Sequence, residues 1–232
     1  MVISIVITLL IVILIIISRI IHNRGDYKDG GGTKIGGIER ISFFSPANDK
    51  AGFRGERIVN YHLRPLLRKD EYLLVNLLVP VKNGHYIEID CIMISRKGIF
   101  CIETKKWVGH ISGNDEDEYW IQRYDDPCKR DKQHRNPVKQ NLIHCSVLKR
   151  AIKNDYNIEC AVIFAKLEDG TRINSDYTYS VREFKAYYRN QEDNKLSIDE
   201  IKRLCQELSC YIATPEQLKE YRKNANNRYI DM

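Results

Sequence analysis

The chain has 232 residues, and 37 Lys and Arg against 31 Asp and Glu give a net charge of +6. Hydrophobic residues make up 43% and charged residues 29%, with only 6 Pro; this is a globular balance that excludes a wholly disordered, collagen-like or low-complexity chain. A mean hydropathy of −0.43 excludes a polytopic membrane protein.

The N-terminus departs from that average. Residues 1–21 read MVISIVITLLIVILIIISRII, with no charge before Arg19 and only Ser4 and Thr8 polar up to Ile17. About 20 such residues cross a bilayer core of about 30 Å. A cleavable signal peptide would show a basic start and a small-residue cleavage site. A buried soluble helix would carry a polar face. Neither pattern is present, so 1–21 is predicted to be an uncleaved transmembrane anchor with the lipid bilayer as its partner. Arg19, Arg24 and Lys28 all follow the span. Positive flanks stay in the cytoplasm, which predicts a single-pass protein of the cell membrane with an outside N-terminus and a cytoplasmic domain. Residues 22–50, with Gly30-Gly31-Gly32 and Gly36-Gly37, read as a flexible juxtamembrane linker.

Beyond the linker the elements follow in order. A helix is predicted from Gly52 to about Arg64, where Pro65 discourages its continuation. Strands are predicted over Tyr72–Val79, Tyr86–Ile94 and Ile99–Thr104, with weaker candidates over Trp107–Ile111 and Tyr119–Arg123. Asn136-Pro137 is a helix start, Asn as the cap and Pro in the first turn. That helix is expected to reach about Lys153 with Val138, Leu142, Cys145, Leu148 and Ile152 on its buried face. Ile158–Ala165 is a further strand. Leu196–Tyr211 is a late helix, with Ser197 and Glu200 spaced as a capping box. Pro215 opens a short final helix or a frayed tail. This order predicts an α/β domain, a central mixed sheet flanked by helices. The seven cysteines form no C-x-x-C pair. Cys91 and Cys101 sit in apolar runs, so reduced, buried thiols are expected.

The hairpin from Tyr86 to Lys105 carries the chemistry. If Ser95 to Gly98 is a four-residue loop, Ile94 faces Ile99, and the same register sets Asp90 opposite Glu103. Side chains alternate, so Lys105 shares the face of Glu103, with Ile92, Ile94, Ile99 and Cys101. Ile87, Ile89, Cys91, Met93, Phe100 and Ile102 are placed on the other. Both faces are apolar, as in a central strand covered on both sides. Charges there need partners or a metal. One reading is a structural ion triad in which Lys105 neutralises two acids. The other is a site for Mg²⁺ or Mn²⁺ held by Asp90 and Glu103, since hard cations take oxygen ligands. Glu56 and Gln140 each fall in the first turn of a predicted helix.

Taken together, Gly52-x-x-Gly55-Glu56, Ile89-Asp90-Cys91, Gly98-Ile99-Phe100-Cys101-Ile102-Glu103-Thr104-Lys105-Lys106-Trp107-x-Gly109 and Asn136-Pro137-Val138-x-Gln140 resemble the nuclease-related domain, NERD, of the PD-(D/E)xK nuclease-like superfamily. The resemblance implies a restriction-endonuclease-like fold. It also implies Asp90, Glu103 and Lys105 as the catalytic core with Glu56 and Gln140 in support, and Mg²⁺-dependent phosphodiester hydrolysis in DNA processing. Two positions depart from the pattern: Cys91 stands where the family often has His, and Lys106 where Asn is common. Neither is a core residue. On this basis 51–170 is expected to be the nuclease-like domain and 171–232 a helical extension packed on it.

Lys129, Arg130, Lys132 and Arg135 form a basic run ahead of Gln140 and are candidate contacts to nucleic acid, DNA or alternatively RNA. The alternative is a solvated loop. A lone His110 and the two Trp residues read as structural. A catalytically inactive binding module on the same fold is the competing function.

Overall fold

The computed structural model describes residues 51–152 and 155–230. The predicted anchor over 1–21 and linker over 22–50 lie outside the described residues. Among the described residues no helix is long and apolar enough to cross a membrane.

The chain enters through helix α1 (Ala51–Leu63), which a 3-10 turn at Arg64–Leu66 closes at Pro65. Strands β1 (Tyr72–Pro80), β2 (Tyr86–Ser95) and β3 (Gly98–Lys105) form an antiparallel meander. Short strands β4 (His110–Asn114), β5 (Tyr119–Arg123) and β6 (Lys132–Arg135) follow. Helix α2 (Pro137–Ala151) crosses back to β7 (Ile158–Phe164), which pairs parallel to β3. Strands β8 (Arg172–Asn174) and β9 (Thr178–Ser180) precede α3 (Val181–Asn190), α4 (Ile198–Ser209) and α5 (Pro215–Ile230).

The main sheet runs β1-β2-β3-β7-β9 and is mixed, as expected; a second, four-stranded sheet runs β6-β5-β4-β8. The second sheet was not foreseen as a unit. Its strands are three to five residues long, too short for a periodic signal, and the charge of Lys132–Arg135 suits a solvated loop as well as a strand. The stretch after residue 170 supplies β8 and β9 to the two sheets as well as three helices.

Two apolar layers enclose the main sheet. On one face Ile92, Ile94, Ile99 and Cys101 pack with Cys145, Leu148 and Ile152 from the α2 segment and Ile201, Leu204 and Leu208 of α4. On the other, Cys91, Met93, Phe100 and Ile102 meet Val59 and Leu63 of α1 and Phe184 and Tyr188 of α3. Each such side chain, fully buried, contributes about 1.5–3 kcal/mol. A third cluster of Ile111, Trp120, Val138, Val162 and Phe164 joins the small sheet to the large one. All seven cysteines are free thiols.

The buried face of α2 differs from the apolar stripe expected. Val138, Asn141, His144, Cys145, Val147 and Leu148 point inward, while Leu142 is exposed. The two polar residues replace the expected leucine because both find partners inside. Asn141 Nδ2 donates to Cys101 O at 2.9 Å and Ala161 O at 3.0 Å, which ties α2 to β3 and β7. The helix start is fixed as strongly. Asn136 Oδ1 accepts from the Val138 and Lys139 amides, and its Nδ2 donates to the carbonyls of Asn114, Asp115 and Asp117.

Candidate active site

The predicted hairpin register is present: Ile94 pairs with Ile99, Ile92 with Cys101 and Cys91 with Ile102. The ladder stops there. At the next step the Asp90 side chain takes the place of a backbone partner, and the Thr104 amide donates to its Oδ2 at 2.8 Å. Strand β2 changes phase at this residue. Ile89 and Ile92 belong to one core layer, and Cys91 and Met93 to the other. This corrects the strict alternation that placed Ile87 and Ile89 with Cys91. The cause lies across the sheet. Asn76, between the pairs Val75–Cys91 and Leu77–Ile89, adopts φ 57°, a left-handed conformation that Asn tolerates better than most residues. Both strands therefore kink at one level, and Asp90 is delivered to the end of β3.

Glu103 and Lys105 lie two residues apart on β3. Lys105 Nζ donates to Glu103 Oε1 at 2.6 Å and to Gln140 Oε1 at 3.2 Å. It also stands 5.8 Å over the Trp107 ring, which stacks on His134 with centroids 4.3 Å apart. The other Glu103 oxygen, Oε2, is buried without an aligned hydrogen bond; His144 Nδ1 faces it at 3.3 Å. Gln140 and His144 are one helical turn apart on α2, so one helix face serves both ends of the Lys105–Glu103 pair.

Glu56 enters from α1. Its approach depends on Gly55, where a Cβ would come within 2.8 Å of Lys106 Cβ. The helix therefore lies directly on the end of β3. Glu56 is hydrogen-bonded by Arg222 of α5 at 3.3 Å, and the same guanidinium grips Glu88 of β2.

The charges divide the carboxylates. Burial pushes the Glu103 carboxyl up, but Lys105 and His144 outweigh it and hold it below its ordinary value. Burial lowers Lys105, yet Glu103 outweighs that and keeps the ammonium protonated. Asp90 is pushed well above the usual carboxylate range by burial and then by Glu103 and Glu56. Burial also raises Glu56, to about 7, against the pull of Arg222. The cluster thus holds Asp90 short of positive charge, which a dication at that point would supply. All the carboxylate donors are hard oxygens, which suits Mg²⁺ or Mn²⁺. Among the described residues no group of three or more His, Cys, Asp or Glu side chains is arranged to hold a metal. A cation bound through one or two carboxylates, with waters and substrate completing its shell, needs no such cage.

The structure brings together Glu56, Asp90, Glu103, Lys105 and Gln140. The basic run makes other contacts: Lys129 pairs with Asp126 at 3.6 Å, and Lys129 and Lys132 lie over the Tyr124 ring. Lys129, Arg130, Lys132 and Arg135 are all exposed. Arg135 lines a cleft of about 930 Å³ with Tyr86, Tyr211 and Tyr221. Sequence reasoning missed His144, Glu88 and Arg222. The spacing of His144 four residues after Gln140 was the available signal for the first. No local pattern marks the other two.

Residues 51–165 match the family model described as "Nuclease-related domain". Residues 51–165 are a nuclease-related domain. All five clustered residues from Glu56 to Gln140 fall within it, and Arg222 lies beyond it. An uncharacterized protein of Bacillus anthracis is 31% identical over 102 residues, which are 44% of this chain and 47% of that protein. This chain therefore spans about half the length of the curated relative it matches. No solved structure matches the chain.

Proposed function

We propose that this nuclease-related domain hydrolyses phosphodiester bonds in DNA with Mg²⁺ or Mn²⁺, tethered to the cytoplasmic face of the cell membrane by residues 1–21. The observation that supports the hydrolysis is the convergence of Asp90, Glu103 and Lys105 with Gln140 on Lys105. Asp90 and Glu103 would hold the cation. When bound, the cation supplies Lewis acidity to the attacking water and the phosphoryl oxygen. Lys105, fixed by Glu103 and Gln140, orients the water and faces negative charge as it develops on the phosphate. Gln140 keeps the ammonium in place; Glu56 completes the wall around the water. The support for the tether is the uncharged run up to Ile17 with its basic residues all on the far side.

The test uses full-length chain purified in a mild detergent, supplied with supercoiled, linear and single-stranded DNA or RNA, in Mg²⁺, Mn²⁺ or EDTA. Cation-dependent cleavage that falls by about 10²-fold or more in Asp90→Asn and in Lys105→Ala is the expected result. Nucleic-acid binding without cleavage, unchanged in Asp90→Asn, would instead establish a binding module. A reporter fused to the C-terminus and found outside the cell would overturn the orientation.

A further inference from the structure

The C-terminal helix reaches into the active-site cluster through Arg222. Arg222 Nε donates to Glu88 Oε1 at 2.9 Å and Oε2 at 3.1 Å, and its Nη2 bonds both Glu88 Oε1 and Glu56 Oε1. The two carboxylates are mostly buried, with 16% and 14% of their side chains exposed, whereas Arg222 keeps 34%. A forked contact of this kind fixes direction as well as distance, and the guanidinium stays charged at every working pH.

The core does not account for this contact. Helix α5 reads PEQLKEYRKNANNRYI, a largely polar sequence in which Leu218 is a buried hydrophobe. A surface ion pair would add little to stability. Here both partners sit on elements that build the site: Glu88 is two residues before Asp90 on β2, and Glu56 is on α1. The charge of Arg222 also acts on Asp90.

Resting on the nuclease reading above, we infer that Arg222 is a built-in counter-cation of the active site, a positioning residue that aims Glu56 and opposes a dication at Asp90 and Glu103. The C-terminal helix is then a working part of the site although it lies outside the nuclease-related domain. Arg222 has opposite effects on the two steps. It weakens cation binding by like-charge repulsion and raises turnover by holding Glu56 in place. A merely structural ion pair moves neither.

The experiment compares full-length wild type, Arg222→Gln, Arg222→Lys and Asp90→Asn in the same detergent. Free Mn²⁺ is followed by electron paramagnetic resonance, cleavage by kcat and KM, and folding by circular dichroism and thermal unfolding. Arg222→Gln, which removes the charge, is expected to bind Mn²⁺ about fivefold tighter or more. Its kcat is expected to fall about tenfold or more with little change in KM. Arg222→Lys keeps the charge but loses the fork, so it should retain wild-type Mn²⁺ affinity and lose kcat; it carries the test if Arg222→Gln does not fold. Unchanged Mn²⁺ affinity and kcat in Arg222→Gln, beside an Asp90→Asn control that loses both, overturns the Arg222 role and leaves the nuclease reading standing. Wild type that binds Mn²⁺ but cuts neither DNA nor RNA overturns the nuclease reading, while tighter Mn²⁺ binding by Arg222→Gln still upholds the counter-cation. Absence of Mn²⁺ binding in the wild type overturns both.

Discussion

Glu56 holds its proton more tightly in the fold than in the open chain, because burial and neighbouring acids raise its pKa to about 7 despite Arg222. A carboxyl raised on folding contributes stability at pH values below its unfolded pKa and loses it as pH rises through the folded one. The contribution of Glu56 is therefore present at pH 4 and gone by pH 8. Glu56→Gln removes this dependence. In EDTA, urea unfolding at pH 5 and pH 8 should show wild type losing on the order of 2 kcal/mol relative to Glu56→Gln across that interval; parallel curves would contradict it. At this scale the sequence was informative about residues that share a strand. Glu103 and Lys105 were legible because a period of two brings them to one face. Asn141 and His144 were not, since a polar residue on a helix reads as exposed until its buried partners on β3 are known. Arg222 and Glu88 are 134 positions apart, and no local rule joins them.

Among the elements, α1 illustrates how a backbone contact sets a functional distance. A Cβ at Gly55 would meet Lys106 Cβ at 2.8 Å, and that neighbour is the root of a side chain rather than a movable tip. Gly55→Ala gains about 1 kcal/mol of helix propensity, but α1 must back away from β3 and take Glu56 with it. The expected outcome is a nearly unchanged melting temperature with cleavage reduced about tenfold; activity equal to wild type would show that α1 has slack. The register of β2 and β3 was readable because turn residues bound the hairpin closely on both sides. The kink at Asp90 was not, because its opposite half is Asn76 on another strand. Helix α2 was readable at its start, where Asn136-Pro137 is a local signal, and misread along its length, where burial depends on β3 and β7. The basic run became β6 because Lys132–Arg135 pairs with β5, which offers the open edge beside Trp120.

For the molecule as a whole, the family match and the cooperative unit have different limits. The match ends at residue 165, yet β9, α3 and α4 lie later and cover one edge and part of both faces of the main sheet. A fragment of residues 51–165 exposes Phe100 and Ile94 where Phe184 and Leu204 now pack. It should show no cooperative heat-absorption peak in calorimetry, whereas full-length chain should. A sharp transition in the fragment would place the folding boundary at the family boundary. The mixed sheet and flanking helices were visible in the order of elements. The second sheet was not, because its strands take their stability from Trp120 and Phe164 rather than from their own composition.

The free edge of β1 is closed by the chain itself. The Leu78 amide donates to Tyr211 O, and the Ala213 amide donates to the carbonyl of kinked Asn76. A ribosome adds about 5–20 residues per second, so β1 waits on the order of ten seconds for the segment that covers it. Throughout that interval a nascent chain offers the outer edge of a Leu- and Val-rich strand whose other edge is taken by β2. The yield of this protein is then set in part by translation speed between β1 and Ala213, and synonymous codons that slow that stretch would direct more of it into inclusion bodies.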